Sequence, residues 1–199
     1  RGSVSAASMP LWWNNENSGT ERWSGLFNCI FSCNEALKYL EDPTLETDYE
    51  DTQRNQMIAQ AYALRAYCYL QLIKRWGGVP IIREALERDH DYSKDKRASF
   101  AQCVDFIIES CDKALAADDA LQWSQRLLSY PNPELSRAAI WAVKSQAVLY
   151  AASPLWADDY AGTEKYTWAR AAEITKQALD LSTGHGLALV GDATAFPDE

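Results

Sequence analysis

Apolar residues recur at helical spacing along nearly the whole chain, and this periodicity leaves little sequence for any other regular structure. A capping box at Ser18–Glu21 predicts a first helix, which should stop by Asp42-Pro43 because the residue before a proline disfavours the α region. A second helix is predicted from about Thr52 to Trp76, where Gly77-Gly78 would supply the left-handed positions that end it.

Three further helices are predicted in the second half of the chain. A capping box at Ser99–Gln102 opens the third, and Asn132-Pro133 suits the cap and first turn of the fourth, which Ser153-Pro154 should end. The fifth begins near Trp168 and is closed by Gly184. Strand signals are almost absent, so the fold class is all-α.

Two of these helical hairpins resemble each other. Ala63–Leu70 aligns with Ala142–Leu149, and Lys113–Leu115 of one partner helix aligns with Gln177–Leu179 of the other. Self-similar hairpins are typical of a helical solenoid, and the small residues are tetratricopeptide-like. Long loop insertions break the regular repeat spacing. We therefore predict tetratricopeptide-like hairpins, an architecture that binds other molecules.

Composition and charge exclude several classes of function. The chain has 199 residues, 47% of them hydrophobic, and a formal net charge of −9, which does not favour nucleic acid or an anionic membrane surface. No apolar run is long enough to cross a bilayer. Motifs of nucleophilic, phosphate-binding or zinc-dependent catalysis are absent, so we expect no catalytic residue and no cofactor.

The cysteines and acidic residues offer only weak signals for a metal. Five cysteines is an odd number, so they cannot all pair, and we interpret them as buried free thiols. Cys29 and Cys33 are spaced to share a zinc ion, but good further ligands are missing. Asp89–Asp95 imitates the start of an EF-hand loop, which then fails at Lys94 and Phe100. We expect no metal site.

Several segments in order resemble the SusD/RagB family of outer-membrane nutrient-uptake lipoproteins of Bacteroidetes. The segments Trp23–Asn34 and Ala61–Leu70 are similar to two helices of that family, and Arg75-Trp-Gly-Gly-Val-Pro80 is very similar to its most specific turn. Arg97-Ala-Ser99 and the helix Arg137–Tyr150 also resemble family segments. Departures occur at Tyr62, Lys144 and Gln146.

The resemblance implies a non-catalytic role at the cell surface. Family members are lipid-anchored in the outer membrane, capture oligosaccharides or sometimes peptides, and pass them to a SusC-like TonB-dependent transporter. They are much longer, so residues 1–199 are expected to be the N-terminal helical region of a longer chain, with the lipid anchor outside this sequence. The resemblance implies a SusD-like α-α superhelix whose helices form the body and the face toward the transporter.

The segment before the first helix contains our candidate glycan-binding residues. Trp12, Trp13, Asn14 and Asn15 combine flat apolar rings with amides, which suit the C–H faces and hydroxyls of a sugar. In starch-binding relatives, a Trp and an Asn in the equivalent loop contribute to the site. Alternatively, one Trp packs on the body and the asparagines form turns and caps.

Other aromatic residues are assigned mainly to the core. Helical spacing makes four tryptophans structural: Trp23, Trp76, Trp141 and Trp168. Loop aromatics are better ligand candidates in principle, although most of them should be satellite core: Trp123, Tyr130, Trp156, Tyr160 and Tyr166.

Two other functions remain open from the residues alone. One is a helical-repeat scaffold that binds a protein or peptide. The other is an all-α glycoside-active enzyme, for which Glu16 or Asp158-Asp159 would have to face a second carboxyl across a cleft, and no motif fixes such a pair.

Overall fold

The computed structural model describes residues 23–44, 49–87, 89–117, 121–123, 134–156 and 165–187. These ranges contain five α-helices and no strand, which confirms the all-α prediction. Two short 3₁₀ turns also lie in these ranges, at Tyr92–Lys94 and at 154–156. The helices are α1 (Trp23–Leu40), α2 (Asp51–Trp76), α3 (Phe100–Ala117), α4 (Arg137–Ala151) and α5 (Trp168–Gly184).

The helices stack as a tetratricopeptide-like superhelix. Each helix packs against the next one in the chain, and α2 also contacts α4. The pairs α2/α3 and α4/α5 are the two self-similar hairpins of the sequence, with α1 packed on the first of them. The core lies mainly around α2, whose fully buried residues include Tyr69, Leu70, Leu72 and Ile73. No helix of the described ranges is both long enough and apolar enough to cross a membrane.

Local caps explain where most helices begin. The Ser99 Oγ accepts a hydrogen bond from the Gln102 amide at 3.1 Å, and the Gln102 Oε1 accepts one from the Ser99 amide at 2.9 Å. This is the predicted capping box of α3. The prediction that α4 begins at Asn132-Pro133 is wrong, because residues 134–136 would then lie within the helix and they are not helical. Ser136 is the cap instead, because its Oγ accepts from the Ala139 amide at 3.2 Å.

The turn after α2 depends on its two glycines for different reasons. Gly77 has φ +67° and ψ −138°, so its positive φ favours glycine, but it is not the left-handed helical position we predicted. Gly78 does not have a positive φ, so the prediction for it is wrong. A Cβ at Gly78 would lie 2.0 Å from the Ala98 carbonyl oxygen, so glycine is needed for close backbone approach. This contact seats the turn against the start of α3.

All five cysteines are free thiols. Cys33, Cys68, Cys103 and Cys111 are buried, as predicted, whereas Cys29 is only partly buried. The described residues contain no group of three His, Cys, Asp or Glu side chains arranged to hold a metal ion. In the EF-hand-like segment, His90 pairs with Asp95 at 2.8 Å and the Asp91 carboxylate accepts hydrogen bonds from Ser93.

Candidate functional site

The four predicted glycan-binding residues, Trp12, Trp13, Asn14 and Asn15, lie outside the described residues. The same holds for Tyr130 and Tyr160 and for the carboxyls of Glu16 and Asp158-Asp159.

The tryptophans at helical spacing divide into two groups. Trp141 is buried and Trp76 packs partly buried against the core, as predicted. The prediction is wrong for Trp23 and Trp168, which are 40% and 55% exposed. Each is the first residue of its helix, at an end of the bundle where neighbouring helices cover the side chain less.

Trp23 forms part of an aromatic group at this end of the bundle. Its ring lies 4.8 Å from the Phe27 ring and 5.4 Å from the Trp76 ring, between ring centres, and the Trp76 contact is edge-on. Because Trp23 is 40% exposed, part of its indole remains open to solvent. An indole that other rings hold in place is a rigid apolar surface. Trp23 lies ten residues after Trp13 in the chain.

The described loop aromatics pack against the body, as predicted. Trp156 stacks on Phe100 with ring centres 3.9 Å apart, and Trp123 stacks on His185 at 4.2 Å. Tyr166 is buried and donates a 2.6 Å hydrogen bond to Asp105. These three side chains therefore stabilise loops rather than offer free rings.

A cavity that the sequence did not predict lies between α1 and α3. This cavity has a volume of about 600 Å³ and is lined by residues of α1, α2, α3 and the segment 83–87. Its charged lining residues are Lys38, Glu41, Arg65, Arg83, Glu84, Glu87, Glu109 and Lys113. We call it the Arg65 cavity, because Arg65 is buried, with 3% of its surface exposed.

Hydrogen bonds to neutral groups hold the Arg65 guanidinium in place. One terminal nitrogen donates to the Asn34 amide oxygen at 2.8 Å and to the Arg83 carbonyl at 3.1 Å. The other donates to the Ser110 hydroxyl at 3.3 Å. Asn34 in turn donates to the Ile82 and Glu84 carbonyls, at 3.0 and 3.1 Å. This network ties the segment after α2 to α1 and α3.

Cations and aromatic rings alternate along the wall of the cavity. The Arg83 and Arg65 guanidinium carbons lie 4.7 and 4.8 Å from the centre of the Phe106 ring. Arg65 is also 4.8 Å from the Tyr62 ring, and the Lys113 ammonium lies 5.4 Å from that ring. Cation–π contacts of this kind are favourable at such distances.

Burial and hydrogen bonds shift the pKa values of this wall. Burial, together with the hydrogen bond to Glu41, raises the pKa of Tyr62 to about 12. Burial lowers the pKa of Arg65, although a guanidinium remains charged at neutral pH. Partial burial opposes ionisation of Glu109, but its bonds to Arg83 and Lys113 outweigh this and lower its pKa. Arg65 and Glu109 are therefore both charged at pH 7.

The fold defines a tetratricopeptide-like helical-repeat protein with an exposed aromatic end. The SusD-like family model, described as starch-binding and associating with the outer membrane, matches residues 5–149. The chain therefore belongs to the SusD-like family.

Individual proteins are similar to this chain in part of their sequence or in their fold. The chain is 31% identical over 99 residues to the SusD-like protein P38 of Formosa agariphila, covering 49% of this chain and 18% of that protein. It superposes with a TM-score of 0.62 on the surface glycan-binding protein A from Bacteroides fluxus, at 20% identity, over 84% of this chain and 30% of that one. It also superposes on a laminarin-binding SusD-like protein with a TM-score of 0.55 and 22% identity, over 71% of this chain and 28% of that one. The chain thus spans less than a third of the length of each of these proteins.

Proposed function

We propose that the protein is a non-catalytic glycan-binding protein of the outer-membrane surface, which passes captured oligosaccharide to a SusC-like TonB-dependent transporter. The observation that carries this proposal is the family match over residues 5–149, whose model is described as starch-binding and associating with the outer membrane. Two structural neighbours are named for glycan or laminarin binding, which supports the ligand class. A lipid anchor outside this sequence would hold the protein at the membrane.

The proposed glycan site is the aromatic and amide segment Trp12, Trp13, Asn14 and Asn15. Rings would stack on sugar C–H faces while the two amides bond to hydroxyls. The solvent-exposed part of Trp23, at the start of α1, supports this placement because it would extend the apolar surface. No bond is broken in this role, which needs affinity and release rather than a pair of carboxylates.

The exposed faces of α2 and α4 offer a surface for a protein partner. Leu64 and Tyr67 of α2 are 40% and 41% exposed, and Leu149 and Tyr150 of α4 are 50% and 41% exposed. Lys74 lies 5.9 Å from the Tyr150 ring, so the two faces meet. Exposed apolar side chains on adjacent helices favour protein contact. We propose this face for the transporter, and the same observation supports the alternative of a peptide- or protein-binding scaffold.

The proposed site is tested by affinity electrophoresis in gels that contain laminarin or starch. The double variant Trp12→Ala and Trp13→Ala loses two stacked rings, about 1–3 kcal/mol in total, so we expect binding to weaken by a factor of about 5 to 150. Trp168→Ala is the matched control, because it removes an exposed indole from α5. If the double variant migrates like the control on a glycan that retards the unmodified protein, the site lies elsewhere.

A further inference from the structure

The Arg65 cavity contains a buried cation without a carboxylate partner. Arg65 forms no ion pair among the described residues, although two nearby carboxylates do pair. Glu109 lies 2.9 Å from Arg83 and 3.1 Å from Lys113, and Glu87 lies 3.7 Å from Lys38. Those carboxylates are therefore engaged by cations other than Arg65.

The Arg65 guanidinium also has unused hydrogen-bonding capacity. Its Nε is buried and has no hydrogen-bond partner, and all three partners of the terminal nitrogens are neutral. A buried charge is costly unless it is paired, since the low dielectric around it strengthens attraction to any counter-charge. Planar guanidinium groups favour carboxylates, which they bind through paired hydrogen bonds.

The space and its surroundings suit a small ligand with one acidic group. A volume of about 600 Å³ is within the usual range of about 300–1,000 Å³ for small-molecule sites. The lining holds Lys38, Arg65, Arg83 and Lys113 against Glu41, Glu84, Glu87 and Glu109, so its formal charges cancel. An incoming carboxylate therefore responds to local charge. Glu41 and Glu84 also form no ion pair among the described residues, but both are exposed to solvent, so Arg65 is the buried charge of this lining that lacks an ion pair.

We propose that the Arg65 cavity is a second ligand site, which recognises a small molecule through its carboxylate with Arg65 as the anchoring charge. The carboxylate belongs to an acidic sugar or to the free acid end of an amino acid derivative. Arg83 contributes a second cation on the same wall. None of the residues that line this cavity belongs to the proposed glycan segment, and the outcome for one does not decide the other.

Isothermal titration calorimetry on the intact protein tests the proposal with two matched pairs of probes. D-glucuronate is compared with D-glucose, and N-acetylglycine with N-acetylglycinamide, so each pair differs at the acidic group. Binding of both acids and of neither neutral partner supports recognition of the carboxylate. Binding of one acid alone supports the site and identifies the source of that carboxylate. Failure of both acids to bind, or equal binding of the neutral partners, overturns the proposal.

Matched variants locate the binding. Arg83→Gln removes a cation of the wall whose side chain is 55% exposed, and we expect about tenfold weaker binding of the acid probe. Arg170→Gln is the control, since that arginine of α5 is 51% exposed and also forms one ion pair. Equal affinities of the two variants would contradict the assignment. Arg65→Lys keeps the positive charge but loses the planar guanidinium. Provided that circular dichroism shows this variant to be folded, we expect it not to bind the acid probe.

Discussion

Replacement of Gly78 by alanine tests how the turn after α2 is seated against α3. The added Cβ would lie 2.0 Å from the Ala98 carbonyl oxygen and 3.1 Å from the carbonyl carbons of Ala98 and Ser99. Ordinary contact begins at 3.4 Å, so the two backbones must separate by more than 1 Å. No side-chain rotation can relieve this overlap, because both partners are backbone.

The surrounding bonds resist that separation. The Ala98 amide donates to the Val79 carbonyl at 3.1 Å, and the Arg97 Nε donates to the Gly78 carbonyl at 2.7 Å. Overpacking costs about 1–3 kcal/mol, and a clash between two tethered backbones belongs at the upper end. We therefore expect Gly78→Ala to lower the free energy of unfolding by about 3 kcal/mol. For a chain of this size, that corresponds to a Tm lower by about 6–12 °C.

Gly184→Ala is the matched control for this substitution. A Cβ at Gly184, the last residue of α5, meets nothing within 4 Å, and alanine favours the helix by up to about 1 kcal/mol. Thermal unfolding followed by far-ultraviolet circular dichroism measures both variants. The reasoning is refuted if Gly78→Ala unfolds within about 1 °C of the unmodified protein, or if Gly184→Ala is the more destabilised of the two.

Three further predictions concern the α1–α2–α3 interface. Asn34→Ala removes one hydrogen-bond acceptor and two donor bonds from a buried network, so urea titration should show a free energy of unfolding lower by about 2–4 kcal/mol. A decrease below about 1 kcal/mol would contradict the role of this network. Cys29 should be the first cysteine to react with iodoacetamide, because it is the least buried thiol and because hydrogen bonds from Cys33 and Cys68 lower its pKa. Peptide mass spectrometry measures the order of labelling, and first labelling of any other cysteine would refute this prediction. Glu109→Gln should lower stability by less than about 1 kcal/mol at pH 7, since its ion pairs are partly exposed. The pKa of Glu109 is lower in the folded than in the unfolded protein, so this contribution to stability is present above the unfolded pKa. It should vanish as the pH falls through the folded pKa. A stability difference between Glu109→Gln and the unmodified protein that persists at pH 2 would contradict the assignment.

Helix positions were largely predictable because they depend on local signals. The predicted α2, from about Thr52 to Trp76, differs by one residue from the observed Asp51–Trp76, since its apolar periodicity and the glycine turn lie within the segment itself. The start of α4 was mispredicted because Asn132-Pro133 and Ser136 are competing start signals a few residues apart. Local sequence does not decide which of two such caps the packed helix uses.

The Arg65 cavity could not be predicted in the same way, because it depends on residues far apart in the chain. Asn34 bonds to a carbonyl 48 positions away, and Arg65 bonds to Ser110 across 45 positions. The signal in the sequence was that the amide Asn34 and the charged residue Arg65 lie within otherwise apolar stripes of their helices. Likewise, the exposure of Trp23 and Trp168 depends on which neighbours reach the helix ends, and spacing within one helix does not contain that information.

The central claim is that the protein binds glycan without cleaving it. Titration of the intact protein with laminarin, starch oligosaccharides and other glycans, followed by tryptophan fluorescence, measures binding, while chromatography of the same samples detects shortened products. We predict a saturable fluorescence change with at least one glycan and no change in its chain length. Shortened oligosaccharides would contradict the non-catalytic role, and the absence of a saturable change with every glycan would contradict glycan capture.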